Sequence, residues 1–265
     1  MMELPQCKAL DLELSGGWLD VWFNSPESRN PLTDQRASDL RALCAVLRDR
    51  ADIRGVTFRG RGGFFCAGGD LKSFQKMFSS GARDDVIAMS RGAADLFHDI
   101  NSLPQVTVMA IEGAAMAGGF GMACCGDVVI VHPGARFAFT ETRIGLSPAQ
   151  ISPFVVQRLG ARIGRRLMVT GATFTGTEAE LLGFADTVTE DIDTAIEDVK
   201  MGVLQCAPGA VAATKALILN LPNMSRTETA DAAAAVFADR LTSDEGREGV
   251  MSFAQKRKPN WAEQP

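Results

Sequence analysis

Gly60-Arg61-Gly62-Gly63-Phe64-Phe65-Cys66-Ala67-Gly68-Gly69-Asp70-Leu71-Lys72 follows directly on Gly55-Val56-Thr57-Phe58, a short apolar run with the look of a buried strand. Its glycines allow the backbone to come close to a ligand. Neither the P-loop pattern nor G-x-G-x-x-G fits, since Lys72 follows Asp70-Leu71 and the run begun at Gly60-x-Gly62 is not completed at position 65. A second stretch of the same character, Gly113-Ala114-Ala115-Met116-Ala117-Gly118-Gly119-Phe120-Gly121-Met122-Ala123, follows the strand pattern at Val106–Ile111. One such turn, taken alone, reads as tight strand-to-helix packing. Two of them point further, because an oxyanion hole needs two N–H donors that converge from separate segments.

Working outward, Ala9, Leu10, Asp11, Leu12, Glu13 and Leu14 alternate, Gly16-Gly17 supplies a turn, and Leu19, Val21 and Phe23 resume the period of two. That predicts an opening hairpin. Thr33 can cap a helix whose Leu40, Leu43, Cys44 and Leu47 recur at three- and four-residue spacing. An amphipathic segment at 84–103, strands at 106–111 and 128–131, and helical stretches at 150–168 and 175–184 continue the alternation, which implies an α/β core. Pro208, Pro222 and Asn223-Met224-Ser225 set off two late helices, 209–220 and 226–240, ahead of a polar tail. The expected division is a core over 1–200 and a helical C-terminal part over 201–265.

The 265 residues are 46% apolar and carry a formal net charge of −5, enough for one large core and a poor match to a phosphate-binding surface. No nucleic-acid partner is expected. No stretch approaches the roughly 20 apolar residues that span a bilayer, and the start lacks a basic region followed by an apolar one, so a cytoplasmic protein without membrane contact is expected. The six cysteines lack C-x-x-C spacing and read as reduced core thiols. With two histidines and no tyrosine, His-based triads and His-ligated metal sites have little to draw on, and no metal is expected. Acid/base work falls to carboxylates.

These motifs resemble those of the crotonase (enoyl-CoA hydratase/isomerase) superfamily from end to end. Phe65-Cys66-Ala67-Gly68-Gly69-Asp70-Leu71-Lys72 is similar to its F-x-A-G-x-D-[LI]-K turn, and Ala117-Gly118-Gly119-Phe120-Gly121 to its G-G-G-x-E turn. Asn24-Ser25-Pro26-Glu27-Ser28-Arg29-Asn30-Pro31-Leu32 resembles N-x-P-x-x-x-N-[AP]-[LM], and the stretch from Glu248 to Pro259 resembles the tail E-G-x-x-A-F-x-x-K-R-x-P. The resemblance implies a spiral of β-β-α units with a helical C-terminal trimerisation part, assembled as a homotrimer or a dimer of trimers. It implies no prosthetic group, coenzyme A entering as part of an acyl-CoA substrate. It implies oxyanion donors at Gly69 and Gly118, and CoA contacts from Ser28, Ala67, Gly68, Asp70 and Leu71. Phe253 and Lys256 are implied near the CoA of a neighbouring subunit, with a solvated basic tail as the other reading.

Hydratases of this family commonly use two carboxylates, and here the first position is Gly121, while the second is retained as Glu141. One carboxylate suffices to move one proton, which favours a Δ3,Δ2-enoyl-CoA isomerase on residue counting. Gly145-Leu146-Ser147-Pro148-Ala149-Gln150-Ile151-Ser152-Pro153-Phe154-Val155-Val156, however, resembles a stretch of the branched glutaconyl-CoA hydratases, which also lack the first Glu. Within that branch the similarity is to isohexenylglutaconyl-CoA hydratase of acyclic terpene breakdown, with 3-methylglutaconyl-CoA hydratase of leucine breakdown as near neighbour. A lyase hydrating the 2,3-double bond of such a thioester is the expectation. Thioester hydrolysis, decarboxylation and a catalytically silent acyl-CoA-binding homologue are the remaining alternatives. Gly119, Arg143 and Gln150 are the candidate substrate contacts. Alternation along an extended segment would put Arg143 on the face of Glu141, although a surface ion pair is equally compatible.

Overall fold

The computed structural model describes residues 3–70, 75 and 82–262, so Leu71 and Lys72 lie outside the described residues. The predicted hairpin forms: β1 (Leu10–Ser15) and β2 (Trp18–Phe23) pair antiparallel around Gly16 and Gly17, whose φ values of 55° and 70° are those a two-residue turn demands. Then come α1 (Asp34–Leu47), β3 (Gly55–Gly60), α2 (Arg83–Asn101), β4 (Val106–Ile111), β5 (Ala114–Met116), α3 (Gly118–Ala123), β6 (Val128–Val131) and β7 (Arg136–Ala138). The chain continues with α4 (Ser152–Thr170), β8 (Thr173–Thr175), α5 (Gly176–Leu181), β9 (Thr187–Val188), α6 (Ile192–Leu204), α7 (Pro208–Asn220), α8 (Arg226–Thr242) and α9 (Asp244–Ala254).

Among the described residues the strands make two sheets, one of six in the order β1-β2-β3-β4-β6-β9 and one of three in the order β5-β7-β8. Every pairing in the larger sheet beyond the hairpin is parallel. Both faces of β3 are buried, which is why Gly55-Val56-Thr57-Phe58 carries no alternation. As read from its spacing, α1 buries Leu40, Leu43, Cys44 and Leu47, and the Thr33 hydroxyl accepts the Arg36 N–H at 3.2 Å. The small sheet is locked to α3 by Phe120, Phe137, Phe139, Phe174 and Phe184, several of whose rings meet edge-to-face with centroids 4.8 to 6.2 Å apart.

Two features differ from the sequence reading. A cut at position 200 would pass through α6, which runs unbroken to Leu204 with Ile192 and Ile196 buried against the sheet. Burial falls off inside the same helix, since Ile196 is buried and Ser252 is the only buried residue from 197 to 262. The stretch expected to be a polar tail contains α9, started by Ser243, whose hydroxyl accepts the Gly246 N–H at 3.0 Å. Glycines and charges hide that helix from a periodicity search, and its cap is the local signal that specifies it. No single helix among the described residues is long and apolar enough to cross a membrane.

Candidate active site

The two glycine turns lie side by side, backbone on backbone. Ala114 C=O accepts the N–H groups of Phe65 and Cys66, both at 3.1 Å, and Met116 N–H donates to Cys66 C=O at 2.9 Å. A Cβ on Gly113 would fall 1.6 Å from the Gly63 carbonyl oxygen, and one on Gly119 would fall 2.7 Å from the Cys66 Cβ. Neither position has room for a side chain. Gly68, at φ 93°, packs the turn against Met116 and Ala117, where any Cβ would also meet the Met116 carbonyl oxygen at 2.9 Å. Gly119, a candidate substrate contact from sequence, is buried and packs against Cys66.

This packing brings the two predicted donors together. A Cβ on Gly118 would stand 3.9 Å from the Gly69 amide nitrogen, and neither glycine's N–H donates to another group among the described residues. Gly118 opens α3, where the first N–H groups have no partner within the helix. The bend that turns its N–H outward is made by Ala117, a non-glycine residue at φ 49° and ψ −123° that is held there by its N–H bond to Ala138 C=O at 2.9 Å. Such a conformation costs about 1–3 kcal/mol and persists where surrounding structure dictates it.

β5 and β7 run parallel with Met116 opposite Ala138, so the residues after each strand emerge at the same end of the small sheet. One strand leads to Gly118 and the other to Glu141. Glu141 is half-buried, and its Oε2 is buried without a hydrogen-bond partner. Burial pushes the carboxyl up from its ordinary value of 4.5, against the opposing pull of its own N–H and that of Thr140. Where a side chain at 121 would project, Ile151 is already present: a Cβ on Gly121 would lie 2.1 Å from Ile151 Cγ2 and 2.3 Å from its Cβ. A second acid is therefore excluded by packing as well as by sequence.

The other candidates fall out differently. Glu141 starts a one-turn 3-10 helix, Glu141–Ile144, rather than an extended segment, so the alternation that would place Arg143 beside it does not apply. Arg143 is exposed and donates to the carbonyl of Gly171, at the C-terminal end of α4. Gln150 is half-buried and its amide donates to Ser90 Oγ on α2. Ser28 is exposed and bonds back to Ser25 C=O at 3.1 Å. Ala67 donates its N–H to Arg29 C=O at 3.0 Å, and Asp70 is half-buried beside Gly69. Phe253 is 87% exposed at the end of α9, Lys256 is exposed beyond it, and no hydrogen bond or ion pair among the described residues links α9 to the glycine turns. Sequence reasoning assigned no separate role to Ile151, Ser90, Asn30 or Arg36; Asn30 and Ile151 carried a signal as members of the motifs over 24–32 and 145–156, and Arg36 as a polar residue on the apolar face of α1.

Two neighbouring amides without partners among the described residues, with a half-buried carboxyl at the same sheet end, can stabilise an enolate and move protons. The family model for enoyl-CoA hydratase/isomerase matches residues 13–264. The chain belongs to the enoyl-CoA hydratase/isomerase family, and its α/β architecture is the crotonase fold. It is an enzyme of the hydro-lyase class that handles CoA thioesters without a prosthetic group. Pseudomonas aeruginosa AtuE superposes with a TM-score of 0.94 at 39% identity, covering 97% of this chain and 100% of that one. An enoyl-CoA hydratase/isomerase from Marinobacter aquaeolei superposes with a TM-score of 0.93 at 38% identity and the same coverage.

Packing at position 121 generates a direct test. Gly121→Glu must displace Ile151 from a filled site, so the single variant is expected to lose about 1–3 kcal/mol of stability, read as a lower urea midpoint. Pairing it with Ile151→Ala should recover most of that loss. A single variant as stable as the parent would show that Ile151 does not occupy the space.

Proposed function

We propose that this enzyme adds water across the 2,3-double bond of a branched glutaconyl-CoA thioester, isohexenylglutaconyl-CoA or 3-methylglutaconyl-CoA, using one carboxylate. The observation that carries this reading is the approach of Gly118 to the Gly69 amide, with the Glu141 Oε2 buried and unbonded at the same sheet end. Glu141 accepts a proton from water as the water oxygen bonds to C3. The π pair moves onto the thioester, whose oxygen is held by the Gly69 and Gly118 N–H groups. Glu141 then delivers its proton to C2 and the carbonyl re-forms, for a net gain of one water.

Support for the branched glutaconyl class comes from the motif over residues 145–156 and from the apolar wall that Ile151 puts in place of a second acid. Ser28, Ala67, Gly68, Asp70 and Leu71 serve the CoA moiety in this reading, and Arg143 or Gln150 the distal carboxylate, each exchanging its present partner, Gly171 or Ser90, for the substrate. The single carboxylate also suits a Δ3,Δ2-enoyl-CoA isomerase. Incubation with each glutaconyl-CoA in ¹⁸O-labelled water separates the two, because hydration adds 18 Da plus the isotope and isomerisation adds nothing.

Oligomer formation belongs to the same proposal. α8 and α9 expose Phe237, Leu241, Val250, Met251 and Phe253, each at least half open to water in the single chain. A homotrimer or a dimer of trimers covers it, and Phe253 and Lys256 then reach a neighbour's CoA. Light scattering on the purified protein is expected to give a multiple of three times 28.3 kDa, and a monomeric mass would rule the assembly out.

Removing the base should be severe. Glu141→Ala is expected to lower hydration by about 10²–10⁴-fold with acyl-CoA binding retained, and more than about a tenth of the parental rate would refute the role. The pH profile supplies a second check. A base whose carboxyl is raised loses its ionised form as pH falls through that raised value, so the acid limb of kcat/KM should lie above the ordinary glutamate value of 4.5. An acid limb at or below that value would contradict a desolvated Glu141.

A further inference from the structure

Arg36 is among the largest fully buried side chains of the protein, with 1% of its surface exposed. Among the described residues no ion pair is formed by its guanidinium. The nearest acids are otherwise placed: Asp39 accepts the N–H groups of Lys8 and Ala9, both at 2.8 Å, and the Gln35 amide, also at 2.8 Å, while Glu27 is exposed. Cys66, which also lies near, has its thiol pushed up by burial and offers no counter-charge. A cation kept out of water without a carboxylate is costly, and an apolar residue would fill the same space more cheaply. Its hydrogen bonds show what it holds.

One arm of the fork donates to Pro31 C=O and the other to Ser25 Oγ at 3.1 Å, with the guanidinium 5.3 Å from the centre of the Phe23 ring. Both acceptors lie on the segment 25–32. Within it Arg29 and Asn30 are consecutive non-glycine residues in the left-handed region, at φ 65° and 53°, a conformation that needs outside support. Asn30 provides part of it, accepting Ser25 N–H at 2.8 Å and donating to the carbonyls of Arg61 at 2.9 Å and Phe64 at 2.7 Å. The far side of the segment carries the first oxyanion turn: Arg29 C=O accepts Ala67 N–H at 3.0 Å, Leu32 N–H donates to Gly68 C=O at 2.8 Å, and Leu32 bridges Gly69. Arg36 thus pins the strip of backbone from which Gly69 hangs.

We propose that Arg36 is a positioning residue for the first oxyanion donor: its two-armed grip on Pro31 and Ser25 fixes the strained segment 25–32, and that segment fixes the direction of the Gly69 N–H. The role rests on Gly69 acting as a donor in the reaction proposed above. A lysine at 36 keeps the charge and loses the fork, because one ammonium cannot reproduce a planar pair of donors on two separate acceptors.

The test uses the full-length enzyme and a chromophoric thioester, 4-(dimethylamino)cinnamoyl-CoA, whose absorption moves to the red when donors polarise its carbonyl. The parent enzyme is expected to show the red shift; its absence would overturn the donor pair and the role of Arg36 with it. Arg36→Lys is expected to fold, to keep KM within about threefold, to lose at least about tenfold in kcat, and to show less than half the parental shift. Ser25→Ala should move kcat and the shift the same way by a smaller factor. Thermal unfolding of each variant establishes that it is folded, and Arg36→Met is informative only beside these two. Folded Arg36→Lys and Ser25→Ala with the parental red shift would overturn the proposal, whether or not kcat had fallen, since a structural role alone would leave carbonyl polarisation untouched.

Discussion

Everything at this site depends on two stretches of backbone lying in direct contact, with no side chain between them. Gly113 against Gly63, Gly119 against Cys66 and Gly68 against Met116 leave gaps that a single methyl group would overfill. A hydrogen-bond donor aimed by backbone is aimed by the fold, and its direction cannot relax without moving a strand. That is the property an oxyanion hole needs, because donors already oriented toward developing charge incur no reorganisation cost when the charge appears. The parallel sheet supplies the frame: β3 delivers the first turn, and the short β5, continuing from β4, delivers the second beside it.

Strain is concentrated around that contact. Ala117, Arg29 and Asn30 all sit at positive φ without being glycine, two of them beneath the first turn and one at the hinge of the second. Each is restrained by specific bonds: Ala117 by Ala138, Asn30 by its own amide, Arg29 through Ala67 and the grip of Arg36 on the neighbouring residues. The buried cation and the strained segment are therefore one arrangement. The cost of ordering both is carried by the core around them, where Phe23, Phe58 and Phe65 pack beneath the same loop.

Much of this was legible in the sequence, and for identifiable reasons. Glycine at 68, 113 and 119 marks close approach, which is a property of the residue type and survives without coordinates. The opening hairpin and the buried face of α1 follow from periods of 2 and 3.6. Other features depend on distance between segments remote in the chain. Strands of two and three residues, such as β9 and β5, are too short for a period to be detected. Arg36 falls on the same face of α1 as Leu40, Leu43 and Leu47, but nothing local says that the loop 25–32 closes over it. Glu141 and Arg143 look like alternating strand residues, whereas the chain turns there because Gly145 takes φ 78° and closes a single 3-10 turn.

The same reasoning explains why counting acids is a weak guide to the reaction. A second carboxylate at 121 is missing from the sequence, but the structural fact is stronger: the volume is occupied by Ile151, which is 2% exposed and belongs to the main hydrophobic core. Replacing a carboxylate by a packed aliphatic group removes a proton donor and also lowers the local polarity. Glu141, half-buried with one oxygen unbonded, feels burial as the largest influence on its carboxyl, and burial raises its proton affinity. A base made stronger by desolvation can take a proton from water and return it to carbon within one turnover, which is how a single carboxylate can suffice where the space for a second is filled by Ile151.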